Sequence, residues 1–205
     1  MMPDKNLQKP TEEELLSVLH FVNQFHKISE RALKYLLPKL QIRDVVKGEM
    51  LAHAGGRCEY MYLVLKGILR GYIIDNKREV TTWMTAENEL VTSIRSFVMQ
   101  MPTRENIAAI EDSRLICLHY DDLQYMYDNF LDFNVMGRKV AELYYVHAED
   151  RAFICRLGKA VDRYNYFMLT NGHLMNRVPL TYVASFLGIR LDSLSRIRKT
   201  LLVKK

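Results

Sequence analysis

Residues 180–199, LTYVASFLGIRLDSLSRIRK, place one glycine between two apolar helical stretches and crowd arginine and lysine along the second. A decorated pair of packed helices and a reading head for DNA both start from such a pattern, and the small residues bear on the choice. In a helix-turn-helix the second helix crosses the first closely, so a small side chain is needed where they touch. A residue free to take φ > 0 is needed in the turn. Ala184 and Gly188 supply the two. Val183, Leu187, Ile189, Leu194 and Ile197 then fall at positions that face a shared core, leaving Arg190, Ser193, Arg196 and Lys199 toward solvent or a groove. All seven constrained positions carry the expected residue type, which predicts a helix-turn-helix with a second helix starting near Leu191. An unrelated helical hairpin is the alternative.

The charge distribution favours the first reading. Residues 177–205 hold seven basic side chains, Arg177, Arg190, Arg196, Arg198, Lys199, Lys204 and Lys205, against one acid, Asp192. That end therefore carries more positive charge than the net +5 of the whole chain, and the remainder is nearly neutral. A basic end on a neutral body points to a polyanion partner for that end alone.

Working back toward the N-terminus, Thr11-Glu12-Glu13-Glu14 after Pro10 has the form of a capping box. Ser29 opens a second helical stripe, Leu33, Leu36, Leu37 and Leu40, which Pro38 is expected to end early. From Gln41 to Tyr120 the texture is of short β-rich runs broken by turn residues, which predicts an antiparallel sandwich or barrel. Lys47-Gly48, Gly55-Gly56 and Asp75-Asn76-Lys77 sit where reversals are needed, and Gly67 marks a bulge or a bend between strands.

After Asp121 the pattern is helical almost to Thr170. Met136, Val140, Leu143, His147, Asp150, Ile154 and Leu157 follow the alternating four-three spacing of a coiled-coil seam. Two copies pairing along this stripe and one helix lying on its own β domain read alike.

A β-rich N-terminal module, a long helix and a C-terminal helix-turn-helix, in that order, resemble the Crp/Fnr family of bacterial transcription regulators. The resemblance spans roughly residues 28–201. It rests on "VVKGEMLAHAGGRCEYMYLVLKGILRGYI", similar to the family's jelly-roll strands, on "IAAIEDSRLICLHYDDL", and most specifically on "RVPLTYVASFLGIRLDSLSRIRKTL". It implies an α+β fold. The parts are a cyclic-nucleotide-binding-like effector domain with an antiparallel β jelly roll over residues 1–130, a dimerisation helix over 131–157, and a winged helix-turn-helix DNA-binding domain over 158–205. It also implies double-stranded DNA and a second copy of the chain as partners, with RNA polymerase as a further candidate.

The Fnr-like recognition helix carries E-x-x-S-R, matched here by Asp192-Ser193-Leu194-Ser195-Arg196. The resemblance makes Arg196 the guanine reader, since a guanidinium can donate to both O6 and N7, and Asp192 an acceptor from cytosine N4. Ser195 is assigned to a base or methyl edge. Asp192 is one methylene shorter than glutamate, and orienting Arg196 or capping the helix is its alternative role. Leu191 replaces the first arginine of the Crp-type pattern. Thr181, Arg190, Ser193, Arg198 and Lys199 complete the candidate interface, with Thr181, Ser193, Arg198 and Lys199 assigned to phosphates.

The cAMP-binding motifs of the family are broken. The G-E-L segment falls on Thr92-Ser93-Ile94 and the R-S-A or R-T-A segment on Thr103-Arg104-Glu105. The glutamate is missing, the arginine is displaced by one position, and Glu105 would oppose a phosphate. Thr92, Ser93, Arg95, Thr103 and Arg104 remain the candidate effector pocket for another anion, with solvated surface arginines as the plainer reading. cAMP is not expected, no cofactor is implied, and the effector is unknown.

Cys58, Cys117 and Cys155 lie far apart without a C-x-x-C pair, and read as small buried or half-buried thiols, with a redox sensor as the alternative. His20, His26, His53, His119, His147 and His173 show no tight metal-ligand spacing. No Walker-type glycine loop or catalytic constellation stands out, so no enzyme is expected. The absence of a signal-like h-region or a long apolar run makes the cytoplasm the default compartment. The competing function is a small-molecule sensor, for an anion or nucleotide, that acts mainly through protein contacts.

Overall fold

The computed structural model describes residues 7–202, and Lys204 and Lys205 lie outside the described residues. The chain divides into two compact units, Met1–Gly71 with Met84–Tyr144, and Tyr72–Trp83 with Tyr145–Lys205.

The N-terminal unit opens with α1 (Glu12–Phe25), whose start is the anticipated capping box. The Thr11 hydroxyl accepts from Glu14 N–H at 3.3 Å and the Glu14 carboxylate accepts from Thr11 N–H at 2.8 Å. α2 (Glu30–Leu36) is capped by Ser29 and gives way at Pro38 to a 3-10 turn over Leu37–Lys39.

The strands follow: β1 (Gln41–Val45), β2 (Met50–Ala52), β3 (Tyr60–Lys66), β4 (Leu69–Asp75), β5 (Arg78–Thr85) and β6 (Leu90–Val91). After the helix α3 (Ile94–Met99) come β7 (Asn106–Ala109) and β8 (Ser113–His119). They form two four-stranded sheets, ordered β1-β8-β3-β6 and β2-β7-β4-β5. β8 pairs antiparallel with β1 and β3 in the first, so Ile116 lies opposite both Ile42 and Leu63. All three side chains are buried, because residues at matched positions of neighbouring strands share a face.

Gly67 bends the chain between β3 and β4 with φ of 105°. A Cβ there would sit 2.7 Å from Ser113 Cα, so only glycine fits. The turn residues Gly48, Gly55, Asn76 and Lys77 also have positive φ. α3 was not anticipated within the β-rich stretch: it is six residues long and has no side-chain cap.

α4 (Tyr120–Asn129) and the first half of α5 (Leu131–Arg156) return over the sheet. Phe21, Val22, Ala32, Leu36, Met126 and Phe133 pack with Ile42 and Ile116 into one core. Met136 is buried in it and Val140 packs against it, so the start of the predicted seam is taken up in cis. Leu131, Leu143, Tyr145, Val146 and Phe153 are the large apolar side chains that α5 leaves exposed.

The second unit contains the outer half of the β4–β5 hairpin, the rest of α5, α6 (Ala160–Asn171), α7 (Leu180–Phe186) and α8 (Leu191–Leu202). Ile154, Tyr164, Phe167, Leu174, Val183, Leu187 and Leu194 are among its buried side chains. Leu157 falls just beyond the end of α5. The wing expected with the helix-turn-helix has no strands among the described residues. Residues 172–179, which join α6 to α7, contain a 3-10 turn and further turns, and no strand follows His119 among the described residues. Met175 N–H bonds Gly172 C=O and Val178 N–H bonds Leu174 C=O, which closes local turns while Leu174, Met175 and Val178 go into the interior.

Candidate nucleic-acid interface

The end of α7 sets the geometry of α8. Leu187 N–H bonds Val183 C=O at 3.0 Å, and Ile189 N–H reaches back to Ala184 C=O at 3.0 Å. Gly188, with φ of 61°, makes that reversal at the position where α-helices most often end in a left-handed residue. Ala184 and Leu194 are buried, as a close crossing of the two helices requires. Val183 and Leu187 are buried too, while Ile189 and Ile197 are half-buried.

α8 begins at Leu191 and is amphipathic. Asp192, Ser195, Arg196 and Lys199 are exposed and follow the i, i+3, i+4, i+7 spacing of a single helix face. No hydrogen bond or ion pair ties these four side chains to the rest of the described chain. Ser193 and Arg198 are half-buried on the flanks of that face, and Arg190 is exposed just before it. Thr181 is exposed in the first turn of α7. Leu191, at the first helical position, remains 40% exposed.

Sequence reasoning missed Ser185. Its hydroxyl accepts from Thr81 N–H at 3.0 Å and donates to Glu79 C=O at 3.2 Å, so one side chain of α7 satisfies two backbone groups on β5, the last strand of its sheet. The Thr81 hydroxyl is buried there and has no hydrogen-bond partner among the described residues. A serine inside a helical pattern gives no local sign of a partner a hundred residues away.

The candidate effector residues separate into two groups. Thr92, Ser93 and Thr103 are buried, whereas Arg95 and Arg104 are exposed. The Thr92 hydroxyl donates to Tyr60 C=O at 3.0 Å; Thr103 Oγ1 lies 2.8 Å from Ser93 Oγ and accepts from Glu105 N–H at 3.1 Å. Thr103 also exchanges backbone bonds with the 55–56 turn, from Gly55 N–H to Thr103 C=O and from Thr103 N–H to Gly56 C=O. Ser96, fully buried and not singled out beforehand, accepts from Cys58 N–H at 3.0 Å and donates to Met101 C=O. Burial pushes the Cys58 thiol up, against the pull of nearby Ser93 N–H and the Ser96 and Thr92 hydroxyls. Cys117 is buried as well, and Cys155 is exposed, which departs from the buried or half-buried reading of that thiol.

A jelly roll with flanking helices, followed by a long helix and further short helices, is the architecture of the chain, and comparison with known proteins agrees. Residues 42–130 match the family described as the cyclic nucleotide-binding domain. No curated protein matches the chain. Over most of its length its structural neighbours are Crp/Fnr regulators. FixK2 from Bradyrhizobium japonicum is 19% identical, with a TM-score of 0.68 over 80% of this chain and 85% of that one. A mutant of CooA from Carboxydothermus hydrogenoformans is 17% identical, with a TM-score of 0.67 over 98% of this chain and 88% of that one. A protein from Eubacterium rectale, assigned to the Crp/Fnr family of transcriptional regulators, is 16% identical, with a TM-score of 0.66 over 86% of this chain and 85% of that one. At these identities the likeness is one of fold. No helix among the described residues is long and apolar enough to cross a membrane.

Proposed function

We propose that the chain is a sequence-specific DNA-binding transcription regulator of the Crp/Fnr kind, acting in the cytoplasm as a homodimer on a near-palindromic operator without cAMP. The observation that carries this reading is the exposed face of Asp192, Ser195, Arg196 and Lys199 on a helix braced from behind by Leu194. A helix offered in this way enters the major groove N-terminus first. Arg196 then reads guanine, Asp192 accepts from cytosine or orients Arg196, and Ser195 meets a base edge. Thr181, Ser193, Arg198 and Lys199 line the phosphates on either side, and Arg190 completes the interface.

Residues 1–130 serve as the effector-type domain, 131–157 as the dimerisation helix and 158–205 as the DNA-binding domain. Leu143, Val146 and Phe153, with Asp150 between them, give α5 an exposed stripe for a second copy. A two-fold dimer places its half-sites about one helical turn, roughly 34 Å, apart. Independence of cAMP is supported by the region where a cyclic phosphate would be held, since Thr92, Ser93, Ser96 and Thr103 bond to their own chain.

Selection from a random duplex library with purified protein, at two salt concentrations and without added nucleotide, tests the reading. One inverted-repeat motif is expected. Salt-sensitive retention of duplex with no motif would overturn specific binding in the free state, and a motif recovered only with cAMP would overturn nucleotide independence.

A further inference from the structure

We propose that Arg163 is the positioning residue of the reading head, holding the turn before α8 against the end of α5 and so fixing the angle at which α8 meets DNA. The inference rests on the DNA-reading interpretation above and concerns a residue outside the interface. Arg163 lies in the first half of α6, half-buried, and its guanidinium gathers backbone carbonyls from two separate places. Nε donates to Leu157 C=O at 2.7 Å. Nη1 donates to Leu187 C=O at 3.0 Å, with Gly188 C=O at 3.5 Å. Leu157 is the residue after α5, and Leu187 and Gly188 are the turn between α7 and α8.

Both ends are helix C-termini. The last carbonyls of a helix have no partner within it and carry the negative end of its dipole, so a cation donating to them is doubly favoured. A guanidinium is also a rigid planar fork. Bonding through Nε on one side and Nη1 on the other fixes direction as well as distance, which an ammonium on a flexible stem does not do. The seat is close: a Cβ on Gly188 would lie 3.3 Å from Arg163 Nη1.

The consequence for DNA follows from leverage. α8 starts three residues beyond Gly188 and runs for 12 residues, about 18 Å. A tilt at the turn is therefore carried along the whole reading face. Bidentate bonds to a base edge tolerate little tilt, whereas a long lysine side chain follows a phosphate through it. Loosening the turn should erase sequence preference before it erases grip.

The test compares wild type, R163M and R163K for binding to the selected operator and to random duplex, with hydrogen exchange of the free proteins over residues 187–191. R163M, close in size and without donors, is expected to lower the preference for operator at least tenfold. Random-duplex affinity and salt slope should stay within about twofold, and exchange over 187–191 should rise. R163K keeps the charge but loses the fork, and is expected to lose preference at least fivefold.

Preserved preference with only a lower melting temperature would mean a structural role and overturn the proposal, as would unchanged exchange over 187–191. Should R163M fail to fold, full operator preference in R163K overturns it alone. A wild type that retains no duplex removes the DNA-reading interpretation, while the exchange comparison still judges whether Arg163 holds the turn.

Discussion

The hydroxyl cluster around Thr103 and the exposed face of α8 are both built from small polar and charged residues, yet they satisfy them in opposite ways. In the N-terminal unit Thr92, Ser93, Ser96 and Thr103 are buried and their hydroxyls are bonded to one another or to nearby backbone. In the second unit Asp192, Ser195, Arg196 and Lys199 face water. Buried hydroxyls must find partners within the fold because leaving one unpaired costs about 1–3 kcal/mol. Exposed groups are hydrated without such partners and stay available to a ligand. A polar cluster that has bonded to itself has become part of the core; one held out on a rigid apolar back is ready for recognition.

The comparison is sharpened first by attacking the apolar back. Leu194 is fully buried, and Leu194→Ala should cost about 2–5 kcal/mol through lost burial and the cavity left behind, measured by urea unfolding, with operator binding lost alongside. If binding survived at full strength, the face would not depend on its backing.

Thr103→Val keeps the shape but leaves Ser93 Oγ and Glu105 N–H without that partner. A loss of about 1–3 kcal/mol in stability is expected, with operator affinity unchanged in the folded protein. Altered affinity at equal folding would break the separation of the two regions.

Arg196→Ala should do the reverse. Stability should stay within about 0.5 kcal/mol, while discrimination at one base pair falls by about 1–3 kcal/mol, read by competition against single-base operator variants. Lys199→Ala is the contrast, weakening all sequences alike and reducing the salt slope by about one. Equal losses for cognate and random duplex in the Arg196 variant would remove its assigned role.

The smallest effect concerns pH. Burial alone would raise the Glu14 carboxyl, but the Arg114 guanidinium and the Thr11 N–H and hydroxyl hold it below the usual range. Arg114 also donates through Nη1 to both Asp44 oxygens, at 2.8 and 2.7 Å. A folded-state value below the unfolded one means that the unfolded chain binds more protons on acidification. This contribution is therefore complete above the unfolded carboxyl range and is lost as pH falls through the folded value. Glu14→Gln should flatten that acid limb by about 0.2–1 kcal/mol, the size of a partly exposed ion pair, in melting curves below about pH 5.

Much of this was legible where a local constraint leaves few residue types. Gly67 had to bend a strand pair, Asn76 and Lys77 had to reverse a hairpin, and Ala184 with Gly188 had to admit a close helix crossing; each appears in the sequence as punctuation. α8 was legible down to its first residue because core and solvent positions alternate at helical spacing. What escaped was decided by distant partners. Met136 and Val140 have the spacing of a dimer seam, but the same spacing serves a helix that covers its own core. Ser185 and Arg163 act through backbone atoms far along the chain, and backbone atoms leave no mark on composition. The wing came from resemblance alone, with no strand pattern of its own behind it. α3 has neither the length nor the cap that would have announced a helix.

The bond from Thr81 N–H to Ser185 joins residues 104 positions apart, and that separation has a cost during synthesis. A ribosome adding about 5–20 residues per second leaves the outer edge of β5 waiting roughly 5–20 s for the side chain that covers it. Until then Thr81 N–H and Glu79 C=O present an open strand edge, which a neighbouring nascent chain can extend. The yield of soluble protein should accordingly depend on how fast the message is translated and how crowded its ribosomes are.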